Sequence, residues 1–398
     1  MEDEQEYVRD TEGQFFDTRA IHTQLTQGKF CEASTPLFMN SGHRFKTVHD
    51  AQSLFYHEKK GFVYGRWENP NTLEYVRKLC TLEDYPDGIA TTTGMAAITA
   101  VFLGLLKSGD HIVYCDALFG TSRKLIKDFL PRWGIQSTAV PASASGSMWQ
   151  KAITDQTKLI YLETPSNPDL SIIDLSMICT IANPAHVLVC VDNSFATPYL
   201  QNPQKWGVDI TIHSATKFID GQGRTLAGVV LANEELMRSI KAFAETTGPS
   251  LSPFSAWLLS KSLETLSIRM QKHCENAQKV MQYLLAHSQV ASVRYPFHPS
   301  HPSYEVARKQ MRLGGGLVTF DLKQGYEAGI KMIEKLSLFT FTANLGDSKT
   351  LITHPASTTH SKLSQEERFK LGIGDAMIRV SVGLEHIDDI LTEFDRIL

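Results

Sequence analysis

Val208-Asp209-Ile210-Thr211-Ile212-His213-Ser214-Ala215-Thr216-Lys217 is an alternating apolar and polar run that ends in two hydroxyls and a lysine, and Asp220-Gly221-Gln222-Gly223-Arg224 follows it closely. Such alternation predicts a buried strand, and the glycines beyond it predict a turn. A lysine carried past the end of a strand, between Ser214 and Thr216 and a glycine-rich segment, is placed to form an imine with an aldehyde while the hydroxyls hold a phosphate. From Ser214-Ala215-Thr216-Lys217 alone, a solvated loop lysine is the alternative.

Working outward, the same texture recurs. Strand-like runs at His111–Tyr114, Leu159–Leu162, Val187–Val191 and Asp209–His213 follow an apolar helix predicted over Gly94–Lys107. Thr225–Ala232 predicts a further strand, with helices over Asn233–Glu245 and, as one long element, from Pro253 to about His287. Alternation of this kind argues for an α/β fold with a mostly parallel sheet covered by helices. Beyond Pro296 a loop rich in His and Pro leads to a strand at Gly316–Leu322, a helix, a strand at Met377–Val382 and a closing helix after Glu385, the pattern of a smaller α+β domain. Residues 1–60 are polar and weakly periodic, an arm or short helices that pack on something else. The expected division is therefore an arm over 1–60, a large domain over 61–262 and a C-terminal domain over 263–398.

Composition narrows the function classes. The 398 residues are 42% apolar and 21% charged, with 39 Lys and Arg against 43 Asp and Glu for a net charge of -4. No block of one sign stands out, so nucleic acid is not an expected partner. The six cysteines are scattered without metal-ligand spacing, which predicts reduced thiols and no metal site. Met1-Glu2-Asp3-Glu4 opens with acids, and the best apolar stretch, Ala96–Leu106, is too short to span a bilayer, so a cytoplasmic location is expected.

Two further elements suit the lysine. Twenty-five residues upstream, Val187-Leu188-Val189-Cys190-Val191 ends in Asp192-Asn193-Ser194. A buried carboxylate there would keep a proton on the ring nitrogen of pyridoxal phosphate (PLP), where the cofactor withdraws electrons best. Turn capping by the Asp-Asn pair is the alternative role. Thr92-Thr93-Gly94-Met95 opens the apolar helix, and amides at a helix start bind phosphate, with Gly94 letting the ligand come close. A plain N-cap by Thr93 is compatible with that role.

These pieces, with Tyr64-Gly65-Arg66 leading to Asn69-Pro70, Glu163-Thr164-Pro165-Ser166-Asn167-Pro168 and Arg379-Val380-Ser381-Val382-Gly383-Leu384-Glu385, resemble the Cys/Met-metabolism family of fold-type-I PLP enzymes over nearly the whole chain. The resemblance implies a seven-stranded, mostly parallel sheet and PLP as cofactor. It implies Lys217 as cofactor carrier, Asp192 at the ring nitrogen, Phe119 stacked on the ring, and phosphate held by Gly94, Met95, Ser214 and Thr216. It further implies that Asn167, Asn344 and Arg379 receive the substrate. Tyr64 and Arg66 would reach a neighbouring subunit's phosphate within a homotetramer built as a dimer of dimers. Arg379 makes sense independently, because a planar guanidinium matches a carboxylate bidentately, although a surface ion pair is commoner for a lone arginine.

Within the family, Leu118-Phe119-Gly120, Leu130-Pro131-Arg132-Trp133-Gly134, Gly248-Pro249-Ser250-Leu251-Ser252-Pro253-Phe254 and Asn344-Leu345-Gly346-Asp347 resemble the O-succinylhomoserine sulfhydrylases. That implies γ-replacement of the acyl group by sulfide to give homocysteine in methionine biosynthesis. Most of the family has a tyrosine where this chain has Phe119, which can stack but not deliver a proton. Thr121 stands where methionine γ-lyases carry a cysteine, and Ala343 where cystathionine γ-lyases and synthases commonly carry a glutamate. Gly65 replaces a frequent Ser or Thr. Cystathionine γ-synthesis, methionine γ-elimination and a PLP-binding protein without catalysis are the competing expectations.

Overall fold

The structure is a computed structural model that describes residues 7–56 and 58–398, so the acidic opening Met1 to Glu4 lies outside the described residues. The chain forms two compact units. One comprises the described residues up to Leu105 with Ile210–Asp220 and Arg224–Leu266; the other comprises Leu106–Asp209, Gly221–Gly223 and Ser267–Leu398.

Seven strands make the larger sheet: β1 (Asp87–Thr91), β2 (His111–Cys115), β3 (Gln136–Val140), β4 (Thr157–Glu163), β5 (Leu188–Asp192), β6 (Ile210–Ser214) and β7 (Gly228–Ala232), in the order β1-β7-β6-β5-β4-β2-β3. β2 pairs in parallel with β3 and β4, and β4 with β5, while β7 runs antiparallel to β1 and β6. The mostly parallel seven-stranded sheet is thus as expected. The outer strands β1 and β3 carry no sequence signal because edge strands need not be apolar on both faces. β3 exposes or half-exposes four of its five residues.

In the first unit, the helix Gly94–Leu105 lies on β6 and β7, and its apolar sequence reflects burial of Ala97, Ile98, Ala100, Val101 and Phe102. The helix Pro70–Glu83, which the periodicity did not reveal, is started by a capping box between Asn69 and Thr72 with Pro70 in the first turn. Glu74 helps tie the arm to it: buried, it accepts from Leu25 N at 2.9 Å and from Thr35 Oγ1, and from Ser260 Oγ at 2.5 Å. Lys78, fully buried one turn further on, pairs with Glu264 at 3.0 Å. The arm contains two short helices, Phe16–His22 and Val48–Phe55.

The expected helix from Pro253 to His287 is two helices, Pro253–Leu263 and Leu266–Ala286, with a turn at Glu264 and Thr265. At the break Thr265 N bonds to Ser262 O at 3.3 Å, three residues back instead of four, which ends the first helix.

The second unit carries β2 to β5 and a five-stranded sheet of β8 (Val290–Arg294), β9 (Leu317–Leu322), β10 (Thr340–Phe341), β11 (Leu351–Thr353) and β12 (Met377–Ser381), ordered β10-β11-β12-β9-β8. Val318, Phe320, Ile378 and Val380 of this sheet pack with Ala277, Val280, Met281 and Leu284 of the long helix and with Ile390 and Phe394 of the closing helix Ile387–Ile397. No helix among the described residues is long and apolar enough to cross a membrane.

His273, buried on the Leu266–Ala286 helix, donates through Nδ1 to Val382 O at 2.6 Å, and burial pulls its pKa down to about 4. A histidine held neutral in the fold but free to charge when unfolded, near its usual value of about 6.5, supports the fold at neutral pH and loses that support as pH falls toward 4. The loss is up to about 3 kcal/mol for this group. His273→Gln, which keeps a donor for Val382, should flatten the difference between urea unfolding curves at pH 7 and pH 4.5. An unchanged difference would contradict the assignment.

Candidate functional site

Lys217 follows β6 in a turn closed by Lys217 N to Ser214 O at 3.2 Å and Asp220 N to Ala215 O at 2.9 Å. The turn is anchored on both sides. Phe218 and Ile219 are buried, and buried Asp220 accepts Arg224 N at 2.7 Å and Arg224 Nε at 3.0 Å. Lys217 itself is half-buried, as are Ser214 and Thr216. The Thr216 hydroxyl accepts Ala227 N at 3.1 Å and donates to Ala227 O at 3.3 Å.

The start of the Gly94–Leu105 helix is pressed onto the end of β6. Thr93 Oγ1 caps it by accepting Ala96 N at 3.0 Å. A Cβ on Gly94 would stand 2.7 Å from Ser214 Cβ and 3.0 Å from Ser214 Cα, and one on Gly228 would stand 2.3 Å from Thr93 O. Only glycine fits at either position. Helix-start amides and the Ser214 hydroxyl are therefore brought together three residues from Lys217, an arrangement suited to a phosphate.

Tyr64 and Arg66 are both exposed. The Arg66 guanidinium lies 5.5 Å from the Tyr64 ring centroid and caps the helix Glu234–Thr247 by donating to Glu245 O. Gly65 donates to Ser41 O at 2.8 Å, and a Cβ there would meet Asn40 O at 3.1 Å, so close backbone approach accounts for the missing hydroxyl.

In the second unit, β4 and β5 end in register-paired carboxylates, Glu163 opposite Asp192. Asp192 Oδ1 accepts Ser194 N at 3.0 Å and Ser194 Oγ at 2.5 Å. Glu163 is buried and accepts Phe119 N at 2.8 Å through Oε2. Its pKa lies well above the carboxylate range, first because of burial and then because of the Asp192 charge. Phe119 begins the short helix Gly120–Lys124 and is 42% exposed.

Arg379, on β12, is almost fully buried, and burial lowers its pKa to about 10. Its partners are all neutral oxygens: Asn167 Oδ1 at 2.8 Å, Asn344 O at 2.9 Å and Ala343 O at 3.3 Å. Asn344 thus meets Arg379 through its carbonyl. A buried cation whose partners among the described residues are neutral acceptors is suited to an anion.

Comparison with known proteins agrees with this chemistry. The sequence profile of the family described as Cys/Met metabolism PLP-dependent enzyme matches residues 17–398. The chain belongs to that family. It is 42% identical to an O-succinylhomoserine sulfhydrylase of Pseudomonas aeruginosa over 97% of this chain and 96% of that one. It is 40% identical to an L-methionine gamma-lyase of Fusobacterium nucleatum over 95% and 96%. Among solved structures, metB of Corynebacterium glutamicum superposes with a TM-score of 0.91 at 32% identity, covering 98% of this chain and 99% of that one. A protein of Campylobacter jejuni described as an O-acetylhomoserine (thiol)-lyase, which contains a pyridoxyl-lysine monophosphate, superposes with a TM-score of 0.92 at 33% identity over 96% and 98%. The fold is fold type I, and the cofactor is PLP.

The residues present fit that group. A half-buried lysine beside a helix start that tolerates no Cβ suits the aldehyde and phosphate, and a half-buried, hydroxyl-oriented aspartate suits the ring nitrogen. Glu163 is the residue to which the sequence motifs assign no role; the available signal was an acid closing an apolar strand, as Asp192 does.

Gly94→Ala should push the helix start off Ser214. Overpacking of this kind costs about 1–3 kcal/mol. The variant apoprotein should melt lower and bind PLP several-fold more weakly, measured by calorimetry and PLP titration. Unchanged values would mean that the contact yields freely.

Proposed function

We propose that this enzyme catalyses γ-replacement on an O-acylhomoserine, O-succinylhomoserine foremost, with sulfide as the incoming nucleophile and homocysteine as product. The observation that carries this reading is Phe119, an aromatic ring at the family's tyrosine position with no proton to give. An acyl leaving group departs as a carboxylate whose conjugate acid has a pKa of about 4–5, so it needs no proton. A thiolate leaving group is far more basic and gains from a general acid. The O-succinylhomoserine sulfhydrylases among the relatives support the same choice.

When bound, PLP supplies the electron sink for negative charge developing at the substrate Cα. In this proposal Gly94 and Met95 amides with the Ser214 and Thr216 hydroxyls hold the phosphate, and the Asp192 carboxylate keeps the ring nitrogen protonated. Arg379, oriented by Asn167 and by the Asn344 carbonyl, clamps the substrate carboxylate. Lys217 Nζ would take the Cα proton and move protons at Cβ. The Cγ–O bond breaks with its electron pair leaving on the acylate, and the sulfur of sulfide forms the new bond at Cγ. Ala343, lacking a carboxylate for the amino group of a second amino acid, favours a small nucleophile over cysteine. Tyr64 and Arg66 serve a neighbouring subunit in a homotetramer, and the enzyme works in the cytoplasm.

Purified enzyme given O-succinylhomoserine should make homocysteine with sulfide faster than cystathionine with cysteine, and faster than it releases methanethiol from methionine. Either reverse ranking would retire the sulfhydrylase reading. Phe119→Tyr should raise activity toward thioether substrates more than toward the acyl ester; no change in either would place proton delivery elsewhere.

A further inference from the structure

Glu163 stands apart from the groups so far given a task. It is buried at the end of β4, beside Asp192 in the register of two parallel strands, where neighbouring backbones are about 4.8 Å apart. Two carboxylates so placed, one of them buried, resist ionising together. Burial and hydrogen bonding together favour the charge on Asp192, which is half-buried, over Glu163, which is 4% exposed. Asp192 Oδ1 receives an N–H and an O–H from Ser194, and donors of that kind stabilise the ionised form. Glu163 receives backbone N–H groups from Phe119 and Asn167, but burial and the charges of Asp192 and Asp169 outweigh them and push its proton affinity up. Among the described residues, Tyr161 on its own strand and Cys115 on β2 feel the Glu163 charge, as Cys190 on β5 feels that of Asp192, and all three are pushed up by burial and stay neutral.

We propose that Glu163 is a positioning residue that works as an un-ionised carboxylic acid, fixing the Phe119 segment through its backbone N–H while leaving the single negative charge of the pair on Asp192. The 2.8 Å bond from Phe119 N sets where the aromatic ring of residue 119 begins, and the N–H of Asn167, four residues on and donated to the same carboxyl, places the residue whose Oδ1 accepts from Arg379. One neutral acid thereby tunes the charge on Asp192 and aligns two segments of the substrate side. The proposal rests on the assignment of Asp192 to the cofactor nitrogen.

The sign of its pH dependence follows from the raised affinity. Protons are bound more tightly in the fold than in the unfolded chain, so stability contributed at low pH is lost as pH rises from about 4.5 through the raised value. Glu163→Gln mimics the neutral acid, and Glu163→Ala removes the anchor. In the PLP-loaded enzyme, Glu163→Gln should keep kcat/KM and PLP affinity within about threefold of the parent at pH 7. Its alkaline limb should lose the step assigned to Glu163. Glu163→Ala should lower kcat/KM at least tenfold. The Glu163→Gln apoprotein should melt no lower than the parent at pH 8, a readout independent of turnover. A Glu163→Gln enzyme as impaired as Glu163→Ala, or an apoprotein melting well below the parent at pH 8, would show that an ionised glutamate is needed and overturn the proposal. Asp192→Asn separates the two readings: if it alone retains full activity, the ring-nitrogen assignment fails, whatever the Glu163 variants show.

Discussion

The helix Gly94–Leu105 can approach β6 closely enough to matter only because Gly94 has no side chain to place against Ser214. That contact fixes where the helix-start amides point relative to the hydroxyls and the lysine that follow the strand. Gly228 on β7 makes the matching allowance for the Thr93 carbonyl, so two glycines on different elements serve one close packing. Phosphate recognition by backbone amides depends on direction more than on charge, and a retreat of even an ångström would spend it.

The second unit solves a different problem, which is how to hold charge away from water. Glu163 and Arg379 are buried and Asp192 half-buried, and each is handled in its own way. Asp192 is compensated by Ser194, Glu163 keeps its proton, and Arg379 rests on carbonyl and amide oxygens that leave its charge uncancelled. Buried charge is expensive, and proteins retain it where a ligand completes the balance. In the proposed function, an amino-acid carboxylate at Arg379 supplies that completion.

Much of this was legible in the sequence. The strands β2, β4, β5 and β6 are short apolar or alternating runs, and Asp192 and Lys217 lie at or just beyond their ends, where open α/β sheets present ligands. What escaped the pattern has physical reasons. β1 and β3 lie at sheet edges and need little apolar sequence. The helix Pro70–Glu83 is buried nearly all round, with Glu74 and Lys78 inside, so it shows no clean polar face. The turn at Glu264 and Thr265 breaks a run whose apolar spacing continues without interruption from Leu263 to Leu266 and beyond. Glu163 escaped because its importance lies in the partner strand: only the register of β4 with β5 brings it beside Asp192.

The cofactor's point of attachment can be read directly. Reduction of the PLP-loaded enzyme with borohydride fixes the cofactor on whichever amine holds it, and peptide mass mapping then locates it. The account predicts one phosphopyridoxyl group per chain on the peptide that contains Lys217. A label on another lysine, or a chain that retains none, would contradict it.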